Sequence, residues 1–175
     1  MKKSFVFASA FLGLLYVESF AQAVKGSIDP IFYKAAQKNI GYPIGAIRGS
    51  VYGRLYASFE VDNKGAVKNV NLIYPLVSKK ISHLLGFEAE IVGGLSKTPH
   101  LNNVSEGKYI LPIAFVYKNV YYGDENYPTN RISEDYFSKD FQFLQEIQIT
   151  ARSDQYRMLR PFSGIPPASR QIVEY

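Results

Sequence analysis

The chain of 175 residues has no cysteine and no tryptophan. Without cysteine there is no disulfide, no thiolate metal site, no thiol nucleophile and no acylated lipoprotein anchor. Basic residues are scattered, with no run longer than Lys79-Lys80. The stripe of cations interleaved with stacking aromatics that nucleic-acid binding uses is therefore missing, and nucleic acid is not an expected partner. Long hydrophobic runs are scarce as well. The N-terminal one, residues 5–17, is an almost unbroken apolar run of about 13 residues, whereas a membrane-spanning helix takes about 20.

Catalytic signatures are also lacking. His83 and His100 are the only histidines, and they form neither a ligand-spaced pair nor part of an H-E-x-x-H motif. Glu88 and Glu90 stand two apart, which on a helix turns them to different faces. No nucleophile elbow, P-loop or dinucleotide fingerprint occurs. The expectation is a protein that is not an enzyme, with no catalytic residues, no cofactor and no metal site.

What is present begins with composition. Apolar residues are 47% and charged residues 20% of the chain, with 14 Tyr and 12 Phe. This favours a folded, strand-rich chain over a disordered one. Met1-Lys2-Lys3 is a positive n-region, residues 5–17 an apolar h-region, and Ala21-Gln22-Ala23 a small-residue cleavage site. Residues 1–23 read as a cleaved signal peptide. The mature chain then begins near Gln22 or Val24, outside the cytoplasm, in preference to an uncleaved membrane anchor, and its net charge falls from +5 to about +4 with Lys2, Lys3 and Glu18 gone.

The next segments carry local signals. Asp29-Pro30 is an N-cap followed by proline at N1, predicting a short helix over 31–40 that ends at Gly41. Pro43 opens a helical turn over 44–48, stopped by Gly49. From Gly53 the period becomes two: Leu55, Ala57, Phe59 and Val61 face a core, and Arg54, Tyr56, Ser58 and Glu60 face away. Asp62-Asn63-Lys64-Gly65 is turn chemistry, with Gly65 suited to a left-handed residue. A return strand over 67–74 buries Val70, Leu72 and Tyr74, and Pro75 ends it. Residues 78–95 read as two short helices or one irregular one, with Phe87, Ile91, Val92 and Leu95 on the inner face. Residues 99–107 are a polar loop. Tyr109, Leu111, Ile113, Phe115 and Tyr117 then alternate with Ile110, Pro112, Ala114 and Val116. This strand is apolar on both faces, so each should be covered. Pro112 lacks a donor and predicts an edge position, where a free backbone row can receive another strand.

Tyr42-Pro43, the 53–65 block and the closing Leu111-Pro112-Ile113-Ala114-Phe115, in that order, resemble the C-terminal domain of TonB-type energy transducers of the Bacteroidetes kind. The match spans about 75 of the 175 residues. It implies an α+β fold, a small three-stranded antiparallel sheet packed against helices, over residues 42–117. Residues 24–41 would be a helical lead-in and 118–175 a partly ordered C-terminal extension. It also implies strand addition: an extended TonB-box-type segment of an outer-membrane receptor, or of another protein, pairs with the last strand in outer-membrane transport. The implied partner edge is Tyr109, Ile110, Leu111, Pro112, Ile113, Ala114, Phe115 and Tyr117, with Tyr42 and Pro43 beside it. An inner-membrane proton-channel complex is the family's other partner, and a homodimer through paired edges is a further expectation.

The chain departs from the family pattern at three points. No aromatic precedes Pro99, a cleavable leader stands where classical members keep an anchor, and only about 18 residues separate the cleavage site from Tyr42. Those residues reach at most about 60 Å when extended. The alternative reading is a stand-alone secreted binding or scaffolding module, uncoupled from the proton gradient.

Beyond residue 117, residues 124–128 read as a loop and Ser133 as the cap of a helical stretch. Residues 141–150 lean toward period two through Phe141, Phe143, Ile147 and Ile149. Residues 144–151 resemble segments near the TonB boxes of Bacteroidetes receptors. Two outcomes follow: this segment pairs with the chain's own edge strand or a neighbour's, or it is an ordinary strand or helix packed on the core. Arg152, Arg157, Arg160 and Arg170, with Pro161, Pro166 and Pro167, predict an irregular basic arm.

Overall fold

Asp29 starts the first helix as its sequence predicts: its carboxylate accepts the Ile31 N–H at 2.8 Å, with Pro30 at N1. The computed structural model describes residues 29–73, 79–102, 105–121, 123–153 and 170–172. The leader, Tyr74 with Pro75, and the arginines and prolines between 157 and 167 lie outside the described residues. Helix α1 is Pro30–Asn39, and α2 is Ile44–Gly49. The stop of α2 is Ser50, left-handed at φ 50, one residue past Gly49.

Strands β1 (Val51–Val61) and β2 (Val67–Ile73) form an antiparallel hairpin. Asp62 organises its turn, accepting the N–H groups of Lys64 at 2.8 Å and Ala66 at 2.9 Å. Gly65 sits at φ 77, and its carbonyl accepts the Leu101 N–H at 2.7 Å. A Cβ there would lie 2.1 Å from the Leu101 oxygen, so two constraints converge on glycine. The outer edge of β2 is blunted by a bulge: register shifts between Ser58 and Glu60, and Asn69 takes φ 51.

The helical stretch after β2 is two helices, α3 (Lys79–Leu85) and α4 (Phe87–Leu95), broken at Gly86 with φ 89. Phe87, Ile91 and Leu95 are buried, and Val92 is partly so. Strand β3 (Gly107–Asn119) runs antiparallel to β1, from Gly53↔Phe115 to Val61↔Gly107.

The α+β class holds, but the sheet does not stop at three strands. Beside β2, β1 and β3 come β4 (Asp124–Asn126), β5 (Phe141–Phe143) and β6 (Ile147–Ser153), all on β3. β4 is antiparallel, whereas β5 and β6 run parallel to β3, so these six strands make a mixed sheet. A two-residue strand, β7 (Arg170–Gln171), adds in parallel to the start of β1. The purely antiparallel three-stranded expectation is thus corrected. Its physical cause is the length of β3, which offers two long rows of backbone groups where a three-stranded sheet would fill one.

The segment read as a loop over 124–128 contains β4. Ser133 caps a single 3₁₀ turn, Glu134–Tyr136, because Phe137 turns extended and packs between Tyr56 (5.6 Å) and Phe143 (5.0 Å). This segment covers the sheet face opposite the helices. Tyr56, which alternation assigned to the open side, is consequently buried, and its hydroxyl accepts the Ile132 N–H at 2.9 Å.

On the other face Phe32, Ala36 and Ile40 of α1 and Phe87, Ile91 and Leu95 of α4 pack on Leu55, Phe59, Leu111, Ile113 and Phe115. Leu144, Ile147, Ile149 and Ile172 belong to the same core. Burying each Ile of β6 stabilises by about 1.5–3 kcal/mol. The lead-in, the central module and the tail therefore share one core.

Candidate partner-binding site

Every residue expected at the edge except Tyr42 and Pro43 lies on β3, and Tyr42 joins them at its end. The Tyr42 ring meets Phe115 edge-on at 5.4 Å, and its hydroxyl donates to the Val51 carbonyl at 2.7 Å. Burial, with Tyr117 nearby, pushes that phenol well above its ordinary range. Pro43 is buried beside it. Tyr109, Leu111, Ile113 and Phe115 point into the helical core, and Tyr117, which shares their strand parity, is buried as well. Ile110 and Val116, fully buried, and Ala114, nearly so, occupy the opposite face with Pro112.

The backbone row of β3 facing away from β1 is not open. The Ile110 carbonyl accepts the Leu144 N–H at 2.9 Å, and the Val120 N–H donates to the Ser153 carbonyl at 2.9 Å. Strand parity turns Ile110, Pro112, Ala114 and Val116 toward that side. There β5 pairs over Lys108↔Phe141 to Ile110↔Phe143, and β6 over Ile113↔Ile147 to Asn119↔Ser153. The tail thus pairs with the chain's own β3, one of the two outcomes set out for residues 144–151.

Pro112 occupies the gap between these two ladders. Its missing donor faces the tail exactly where β5 has ended and β6 has not begun, so an interior strand tolerates it without a lost bond. That corrects the edge position inferred from Pro112. Across this gap, past the Leu144 N–H, residues 145 and 146 leave the ladder. The Gln145 N–H donates instead to the Tyr33 hydroxyl at 2.9 Å, and Glu146 reaches Arg54.

Arg54 is 4% exposed. Its Nε pairs with Oε2 of Glu146, Nη2 lies 3.4 Å from Oε1, and Nη1 donates to the Asn130 carbonyl at 2.6 Å. Arg54 stands across β1–β3 from Ala114, so only a methyl side chain separates its strand position from the tail. Around this contact lies a cleft of about 230 Å³, lined by Arg54, Tyr56, Pro112, Arg131, Ile132, Glu134 and residues 143–146. The arrangement is a latch between sheet and tail, with its cation matched by a carboxylate.

Sequence reasoning missed Arg54, Glu146, Asn130 and Tyr33. The available signal was a charge, Arg54, inside a strand whose neighbours are apolar, and Glu146 opening a period-two run.

No protein-family model, curated protein or solved structure matches this chain.

His83 and His100 are both exposed, and His83 Nδ1 is 3.4 Å from Glu88. Among the described residues no group of three or more His, Cys, Asp or Glu is placed to hold a metal ion, and no helix is long and apolar enough to cross a membrane.

Proposed function

We propose that this protein is a periplasmic, TonB C-terminal-like binding module that takes an extended partner segment onto β3 by strand exchange. It carries out no catalysis. The observation that carries the reading is the parallel strand β6, a short run already seated on the edge that the resemblance assigns to a partner. A segment that pairs in parallel and buries alternate side chains is what a partner would supply. In the resting chain residues 141–153 fill that place, and a receptor segment in outer-membrane transport would displace them. The same core contacts by Leu144, Ile147 and Ile149 also favour the second reading, a stand-alone secreted module in which the tail stays permanently in place.

The absence of cysteine makes a clean test available. Ala114 and Gln148 are register partners on β3 and β6. The double variant Ala114→Cys with Gln148→Cys should form a disulfide that locks the tail. A synthetic peptide copying residues 142–153 should bind the reduced chain and not the oxidised one. Equal binding in both states places the peptide elsewhere, and no binding in either contradicts exchange. Coupling is a separate matter: a chain in the soluble fraction that begins near Gln22 or Val24 would exclude direct transduction from an inner-membrane anchor.

A further inference from the structure

We infer that Arg54 selects which extended segments β3 accepts, by requiring a carboxylate one residue before the paired strand begins. The inference rests on the strand-exchange reading above and names the partner's chemistry.

Arg54 carries a planar guanidinium with a fork of donors, and it is nearly inaccessible. Among the described residues Glu146 pairs with it as the anion, and Asn130 bonds it as well. Glu134 and Arg131 line the same cleft, adding one further carboxylate and one further cation. When β6 leaves, Glu146 leaves with it, since Ile147 is the first residue paired to Ile113. A buried cation without its counter-charge is strongly unfavourable. An incoming strand restores the balance only if it brings its own carboxylate to that position.

The tail also defines the rest of the pattern. Ile147, Ile149 and Ala151 are buried, with Ala151 across from Tyr117, while Gln148, Thr150 and Arg152 are exposed. Leu144, two residues before the carboxylate, is buried. The partner is therefore a segment running parallel to β3, with an apolar residue, any residue, a carboxylate and then alternating apolar positions ending on a small one. A slip of one residue would turn the apolar side chains outward and misplace the carboxylate. Pairing register and charge thus enforce each other.

The test uses the full chain carrying Glu146→Gln, which removes the resident carboxylate, and two peptides. One copies residues 142–153, and the other is identical except for Gln in place of its glutamate. The Glu peptide should bind this chain about tenfold more tightly than the Gln peptide, and adding Arg54→Gln should erase the difference. Equal affinities with Arg54 intact overturn the inference and leave strand exchange standing. Failure of both peptides to bind overturns both. The decisive comparison is made with Arg54 in place, so it stands even where the Arg54 variant folds poorly.

Discussion

The side-chain amide of Asn130 closes both backbone hydrogen bonds of Arg54. The Arg54 N–H donates to Asn130 Oδ1 at 3.0 Å, and Asn130 Nδ2 donates to the Arg54 carbonyl at 2.9 Å. An amide side chain has the donor and acceptor of a peptide group, so Asn130 acts as a strand one residue long. It stands where β2 has ended at Ile73↔Tyr56 and before β7 pairs with Tyr52. Gln171 supports it, donating to Asn130 Oδ1 at 3.0 Å.

Asn130→Ala should therefore leave a buried donor and a buried acceptor on Arg54 unpaired. We expect a loss of about 1–3 kcal/mol in denaturant unfolding. A change within a few tenths would mean that water replaces the amide without penalty.

Gly65→Ala should be more damaging than its place in a turn suggests. The substitution meets both a left-handed backbone and the Leu101 oxygen, and it breaks the Leu101–Gly65 bond. The expected loss is about 2–3 kcal/mol by the same measurement. Asn63→Ala, two residues earlier in the same turn and exposed, should cost far less.

The hairpin should respond to acid through Asp62. The hydrogen bond from Lys68, then the Ala66 and Lys64 N–H groups, lower its pKa from the ordinary 3.8 to about 2. The folded state prefers the carboxylate, so this contribution is complete above the unfolded value and is lost as pH falls through about 2. Wild type and Asp62→Asn should differ in denaturation midpoint at pH 5 and converge toward pH 2. A gap that stays constant over that range would contradict the assignment.

Much of this fold was legible because its signals are local. Asp29-Pro30 capped a helix, residues 55–61 alternated, and Gly65 marked a turn. The period-two lean of Phe141, Phe143, Ile147 and Ile149 was also visible. Pairing with the chain's own edge was one of two outcomes left open, and the choice between them was not legible, because pairing β6 with β3 joins residues more than thirty apart and no local periodicity encodes which backbone row a strand will meet. Pro112 misled for the same reason. A missing donor shows that one hydrogen bond is absent, and it is equally consistent with an edge and with a gap between two strands. Arg54 and Tyr56 were assigned to an open face because the segment that buries them, with Asn130, Phe137 and Glu146, lies some eighty residues away.

The central claim is that residues 141–153 fill the β3 edge as a unit that can leave without unfolding the sheet. Native-state amide hydrogen exchange tests it most directly, because it reads the opening free energy of each strand. Amides that bridge the tail and β3, those of Ile149, Ala151 and Val116, should exchange together through an opening well below global unfolding. Those between β1 and β3, of Leu55, Leu111 and Ile113, should exchange only at the global level. If the tail amides are as protected as Leu111, the tail is a permanent strand and exchange at this edge is wrong.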